Sequence, residues 1–332
     1  MGISQPNAQP GEGGRSRWLH RFALLTAGCT FGLIFVGGLV TSTGSGLAVP
    51  DWPLAFGQFF PPMVGGVLIE HGHRLVAGFV GILTVALTVW VCLKEPRKWV
   101  RGLALAALGA IVLQGLLGGV TVLLELPTAV SVSHALLAQA FFCLTVALAM
   151  VTNPKWSHPS RSPRGEATSS MKRLCMATTA VVFLQLLLGA WMRHIHAGLA
   201  IPDFPLAFGR LAPPLALLKD PRVTVHFLHR LGAVAVAGFV LWTVTLVLRR
   251  YPDEPRLIRP AGGLVALLAF QLVLGALTIW TSRAVVPTTA HVAVGAAVLA
   301  VTLVLTLRFQ ERQPARAGAK ARPWLTEEVP AW

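Results

Sequence analysis

The chain has 332 residues, of which 54% are hydrophobic and only 12% charged, with a mean hydropathy of +0.66. Soluble domains carry about twice that share of charge, and the apolar residues here come in blocks long enough to cross a bilayer, so a soluble globular enzyme is excluded. The formal charge of +15 accompanies no compact basic fold or readable nucleic-acid motif, which excludes a nucleic-acid module and calls for a membrane explanation.

Eight apolar spans are predicted, at about residues 19–41, 66–93, 102–124, 129–151, 173–193, 223–248, 258–281 and 287–308. Each must be helical, because lipid offers no hydrogen-bond partner to an open backbone. The first has the basic flanks of a signal peptide (Arg15, Arg17, Arg21). It lacks a small-residue cleavage site after its apolar run and is expected to remain as a helix. With the even-numbered gaps and both tails on one side, 21 of the 28 Lys and Arg residues fall there, which places both termini in the cytoplasm. The four cysteines, Cys29, Cys92, Cys143 and Cys175, lie in or beside spans without a CxxC, and read as small buried residues with no disulfide.

The chain is internally repeated. Residues 46–62, GLAVPDWPLAFGQFFPP, match residues 198–214, GLAIPDFPLAFGRLAPP, at an offset of 152. His73-Arg74 matches His229-Arg230 at 156, and Gln114 and His134 match Gln271 and His291 at 157. Four spans per repeat is an even number, so both repeats face the same way across the membrane. The expectation is an all-α integral membrane protein: eight transmembrane helices in two tandem four-helix bundles, with pseudo-two-fold symmetry along the membrane normal. Its parts are a cytoplasmic tail (1–18), an N-terminal bundle (19–151), a polar linker (152–172), a C-terminal bundle (173–309) and a second cytoplasmic tail (310–332).

Each of the four repeated histidines opens a span on the outer side. An imidazole at membrane depth is costly unless something binds it, and two repeated pairs at one depth point to two haem-type iron sites, with His73 and His134 in one bundle and His229 and His291 in the other. In EHGHR (70–74), Glu70 shares a helix face with His73, whereas His71 points away and reads as interfacial. The second repeat has HFLHR (226–230), with His226 at the position of Glu70. Arg74 and Arg230 have two readings, partners of haem propionates or cations reaching toward headgroups. Gln114 and Gln271, followed by Gly118, Gly119 and Gly275, Ala276, suit helix-to-helix hydrogen bonding and close packing. Asp51 and Asp203 read as turn formers in the proline-fixed outer loops. His20, His158, His194 and His196 have no repeat partner and are assigned to no site.

The order EHGHR, SVSHA (131–135), HFLHR and TTAHVAVG (288–295) along eight spans resembles the haem A synthase family, from about residue 20 to 309. That resemblance implies oxidation of a ring methyl of haem O to a formyl group, giving haem A for cytochrome c oxidase. It implies haem b on His229 and His291, the substrate haem O at His73 and His134, and Glu70 essential for turnover. It also implies a haem O-producing farnesyltransferase and cytochrome c oxidase assembly factors as partners in the lipid membrane, without nucleic acid. The oligomeric state stays open between a single chain and a homo-oligomer.

One branch of the family carries a cysteine pair in the first outer loop, where this chain reads TSTGSGLAVPDWPLAFG, so no thiol step carries over. Methyl-to-aldehyde oxidation removes four electrons, and the chain has neither a nucleotide-binding glycine motif nor a facial triad, so a protein-bound haem is the expected electron carrier. Glu70 is expected to handle protons or stabilise a cationic intermediate, against the alternative of a helix-N-terminal carboxylate. A di-haem electron-transfer protein and a repeat-built transporter remain the alternatives. The short polar N-terminus points to a bacterial inner membrane.

Overall fold

A computed structural model describes residues 12–157 and 169–311. His158 and most of the expected tails and linker lie outside these residues. The described residues form eight long helices: α1 (Glu12–Ser42), α2 (Gly65–Lys94), α3 (Lys98–Leu123), α4 (Thr128–Val151), α5 (Ser169–His194), α6 (Pro221–Arg250), α7 (Pro255–Trp280) and α8 (Val285–Glu311). All eight are long and apolar enough to cross a membrane, and the protein is a multi-pass membrane protein. Helices α1, α5 and α8 run several residues beyond their predicted spans, α5 starting within the stretch expected as linker. Hydropathy counts apolar residues, whereas helical hydrogen bonding continues through the polar ones at the membrane surface.

Within the first half α1 packs on α2 and α4, and α3 on α2 and α4, closing a ring of four; α5 to α8 close a ring in the same way. Each ring has its own apolar core. Val80, Leu87, Ile111 and Phe141 are buried in the first, and Val240, Leu264, Leu299 and Phe309 in the second. The rings meet through α1–α8, α4–α5 and α4–α8, where Ile34, Phe142 and Ala296 form a small apolar cluster. With α1 equivalent to α5 and α4 to α8, the α1–α8 contact is the counterpart of α4–α5.

The two repeated outer loops fold alike. Asp51 accepts from the amides of Phe56 (2.7 Å) and Gly57 (2.8 Å), and Asp203 from those of Phe208 (2.7 Å) and Gly209 (2.8 Å). These amides belong to left-handed turn residues, with φ of 53° and 71° in the first loop and 57° and 72° in the second. Hydrogen bonding to the charged form holds both carboxyls below the ordinary aspartate range, chiefly by the Gly57 amide for Asp51 and the Gly209 amide for Asp203. The loops thus close over the helix ends that carry the histidines.

Candidate functional site

The four histidines sit at matched depths. His73 and His229 lie eight residues into α2 and α6, and His134 and His291 six residues into α4 and α8. At 1.5 Å per residue that is about two turns in from the start of each helix. All four are half-buried.

Each ring rests against a glycine of a neighbouring helix. A methyl added to Gly37, Gly118, Gly189 or Gly275 would stand 3.1, 3.2, 3.0 and 3.2 Å from Cε1 of His73, His134, His229 and His291, respectively. Each glycine lies five residues before the outer end of its own helix, α1, α3, α5 or α7. Any larger side chain there would push the imidazole aside.

Glutamines hold three of the rings. Gln114 Nε2 lies 3.3 Å from His134 Nε2 and donates to the His134 carbonyl at 3.0 Å. Gln271 Nε2 lies 3.3 Å from His291 Nε2, and His291 Nδ1 is 3.2 Å from the Gln271 carbonyl. A carbonyl can only accept, so that contact places the His291 proton on Nδ1 and makes Nε2 the acceptor of the Gln271 amide. Gln185 Nε2 is 3.1 Å from His229 Nδ1 and donates to the His229 carbonyl at 2.8 Å. The Nδ1 atoms of His73 and His134 are buried without a partner.

The second pair lies close enough for both rings to reach one metal ion. The ring centroids of His229 and His291 are 6.4 Å apart with an interplanar angle of 63°. Two metal–nitrogen bonds of about 2 Å each, plus the ~1.1 Å radius of each ring, require about 6.3 Å. Among the described residues no three His, Cys, Asp or Glu side chains are grouped to hold a metal by themselves.

Glu70, predicted as catalytic, is buried and grips the first outer loop. Its Oε2 accepts from the Val49 amide at 2.9 Å and its Oε1 from Arg74 Nη2 at 2.6 Å. His226 makes the equivalent pair of contacts, with the Ile201 amide at 3.2 Å and Arg230 Nε at 3.3 Å. A carboxylate accepts both donors at once, whereas a neutral imidazole has a single acceptor and satisfies only one. Arg74 also donates to the carbonyls of Val49, Asp51 and Leu54, and Arg230 to those of Ile201, Asp203 and Leu206. Both arginines therefore clamp a loop. His71 is buried, its Nε2 donating to the Phe59 carbonyl at 2.9 Å, and is not interfacial as its spacing suggested.

The fold thus gives all four predicted histidines one setting, and adds the four glycines and Gln185 to the site. Gly118 and Gly275 stood in the sequence as packing residues beside Gln114 and Gln271. Gly37 and Gly189 share the 152 offset and were within reach of the repeat alignment. Gln185 has Leu33 as its counterpart, so matching the halves could not find it.

The model of the cytochrome oxidase assembly protein family (COX15-CtaA) matches residues 20–66 and 64–303. A "Heme A synthase" of Symbiobacterium thermophilum is 35% identical over 250 residues, 73% of this chain and 79% of the relative. Another from Halalkalibacterium halodurans is 30% identical over 253 residues, covering 73% and 80% of the two chains. One from Bacillus cereus is 27% identical over 282 residues, covering 83% and 88%. The chain belongs to the cytochrome oxidase assembly protein family.

Proposed function

We infer that this protein is a haem A synthase, an oxidoreductase that converts the ring methyl of haem O to the formyl group of haem A. Its relatives carry that name, and the observation that carries the reading to this chain is the repeated pair of outer-side histidines, each ring set on a glycine. We assign haem b to His229 and His291, which would hold its iron and whose ring centroids lie 6.4 Å apart, and the substrate haem O to His73 and His134. When bound, haem b supplies one-electron redox chemistry to an oxidation that must dispose of four electrons.

The chain's own residues then orient and shield. The glycines fix how far each imidazole projects, and the loops closed by Asp51 and Asp203 cover the outer ends of both bundles. Glu70 is held as an acceptor by two donors. That state suits stabilising positive charge on the substrate better than taking up a proton, so we assign Glu70 the electrostatic role. Arg74 and Arg230 keep the loops seated.

The Lys and Arg bias supports cytoplasmic termini and sites on the outer face of a bacterial inner membrane. The exchange of α1–α8 with α4–α5 under the repeat supports a two-fold relation between the bundles. A haem O-forming farnesyltransferase and cytochrome c oxidase assembly factors are the partners this chemistry requires upstream and downstream. Eight uninterrupted helices among the described residues offer no broken segment of the kind a repeat-built transporter uses.

Co-expression with a haem O source and chromatography of extracted pigments tests the function. Haem A is expected with the intact chain and absent without it. Haem O recovered unchanged beside well-folded, pigmented protein would mean a di-haem electron carrier instead.

A further inference from the structure

We propose that Gln185 is a positioning residue that keeps His229 on its haem, and that the absence of its counterpart leaves His73 as the ligand that lets go. This inference rests on the assignment of a resident haem to the second bundle and a passing haem to the first.

Three of the four histidines touch a glutamine, Gln114 and Gln271 at Nε2 of His134 and His291 and Gln185 at Nδ1 of His229, and His73 is the one with no glutamine contact among the described residues. Gln114 and Gln271 are counterparts in the repeat. Gln185 comes from α5, and the 152 offset puts Leu33 at its place in α1.

The difference involves a second position. Gln185 Oε1 lies where a side chain of Gly232 would start, 2.0 Å from an added methyl. The counterpart of Gly232, at offset 156, is Val76. Gln185 with Gly232 in one bundle thus replaces Leu33 with Val76 in the other, where both side chains join the apolar core. The glutamine is not needed for packing, because the same scaffold closes with leucine and valine. A polar side chain at membrane depth, with room cleared for it by a glycine, indicates a polar task.

That task is visible in the amide's contacts. As drawn, Nε2 reaches both the His229 carbonyl and Nδ1, while Oε1 is buried with no partner. An imidazole bound to iron through Nε2 carries its proton on Nδ1 and needs an acceptor there. Turned over, the amide would offer Oε1 to that proton and give up its 2.8 Å donation to the His229 carbonyl, an exchange that iron on Nε2 would drive by fixing the proton on Nδ1. The His73 Nδ1 has no such neighbour and is buried without a partner. Removing an outer partner of a metal-ligating histidine typically costs about 10- to 100-fold in affinity.

The test is haem transfer from the purified full-length protein to excess apomyoglobin, together with the midpoint potential of the bound haem b. Gln185→Met keeps the length and leaves Gly232 alone but removes both hydrogen-bonding groups. It is expected to speed haem b loss by about tenfold or more and to shift the potential. Gln185→Glu keeps an acceptor for Nδ1, and is expected to hold haem b as the parent does, at a lower potential. Leu33→Gln combined with Val76→Gly is expected to slow haem release from the first pocket. Transfer rate and potential unchanged in Gln185→Met would overturn the proposal. If that variant does not accumulate, an unchanged potential in Gln185→Glu, or unchanged release in the first-bundle variant, overturns it. Failure of the underlying assignment would look different, because the parent protein would then lack haem b or keep it after His229→Ala.

Discussion

Around His73 stand Glu70, Leu33 and Val76; around His229 the same places hold His226, Gln185 and Gly232. The shared parts are the loop turn built on an aspartate, the arginine clamp, the glutamine on the third helix of each bundle and the glycine under each ring. These are the parts that make a pocket at a fixed depth. What differs is charge beside one ligand and hydrogen bonding to the other. A buried carboxylate grips the loop of the first bundle, and a second glutamine serves the histidine of the other. On the proposed function, duplication supplies two equivalent places for a porphyrin, and a handful of substitutions divides them into one that works on its occupant and one that retains it.

The largest expected effect comes from filling a ring's resting place. Gly189→Leu should abolish haem b binding in the second bundle, because even a methyl there meets the His229 ring at 3.0 Å. Gly37→Leu should abolish conversion of haem O while haem b remains. Absorption spectra and extracted pigments separate the two, and loss of both haems from either variant would show that the pockets are not independent.

A swap at the loop clamp sharpens the comparison further. Since His226 does in the second bundle what Glu70 does in the first, Glu70→His should fold and keep haem b, yet lose about 100-fold in conversion if the carboxylate stabilises charge. His226→Glu should change turnover little. Near-normal conversion by Glu70→His would reduce Glu70 to a loop clamp.

Smaller asymmetries follow from packing. The Trp52 ring lies over Gly119, 2.5 Å from where a methyl would sit, whereas the counterpart in the second bundle is Ala276. Gly119→Ala should therefore cost about 1–3 kcal/mol through overpacking and loosen the first loop. Ala276→Gly should cost about 1 kcal/mol or less in thermal unfolding followed by tryptophan fluorescence.

The mildest effect is on pH. The folded-state pKa of Asp51 and of Asp203 is lowered, so their contribution to the loops is complete above the ordinary aspartate value of about 4 and fades as pH falls below it. Protease resistance of the loops should be flat from about pH 5 to 8. It should decline only under more acidic conditions, and Asp51→Asn should remove the first loop's share of that decline.

Much of this was legible in the sequence, for physical reasons. Spans are forced by the lipid's lack of hydrogen-bond partners, and repeated imidazoles at membrane depth stand out because they are costly. The roles of Arg74 and Arg230 were not legible: adjacency to a ligand in sequence says nothing about which of several loop carbonyls a guanidinium reaches. His71 was misread because helix spacing locates a face but not what covers it, here the loop carbonyl of Phe59. Gln185 escaped because the eye matches like with like between repeats, and the difference lay where the halves disagree.

The central division of labour is tested most directly by the haem composition of two double variants made in cells that supply haem O. His229→Ala with His291→Ala should yield folded protein without haem b. His73→Ala with His134→Ala should retain haem b and form no haem A. Haem b retained in full by the first, or lost from the second alone, would contradict the assignment.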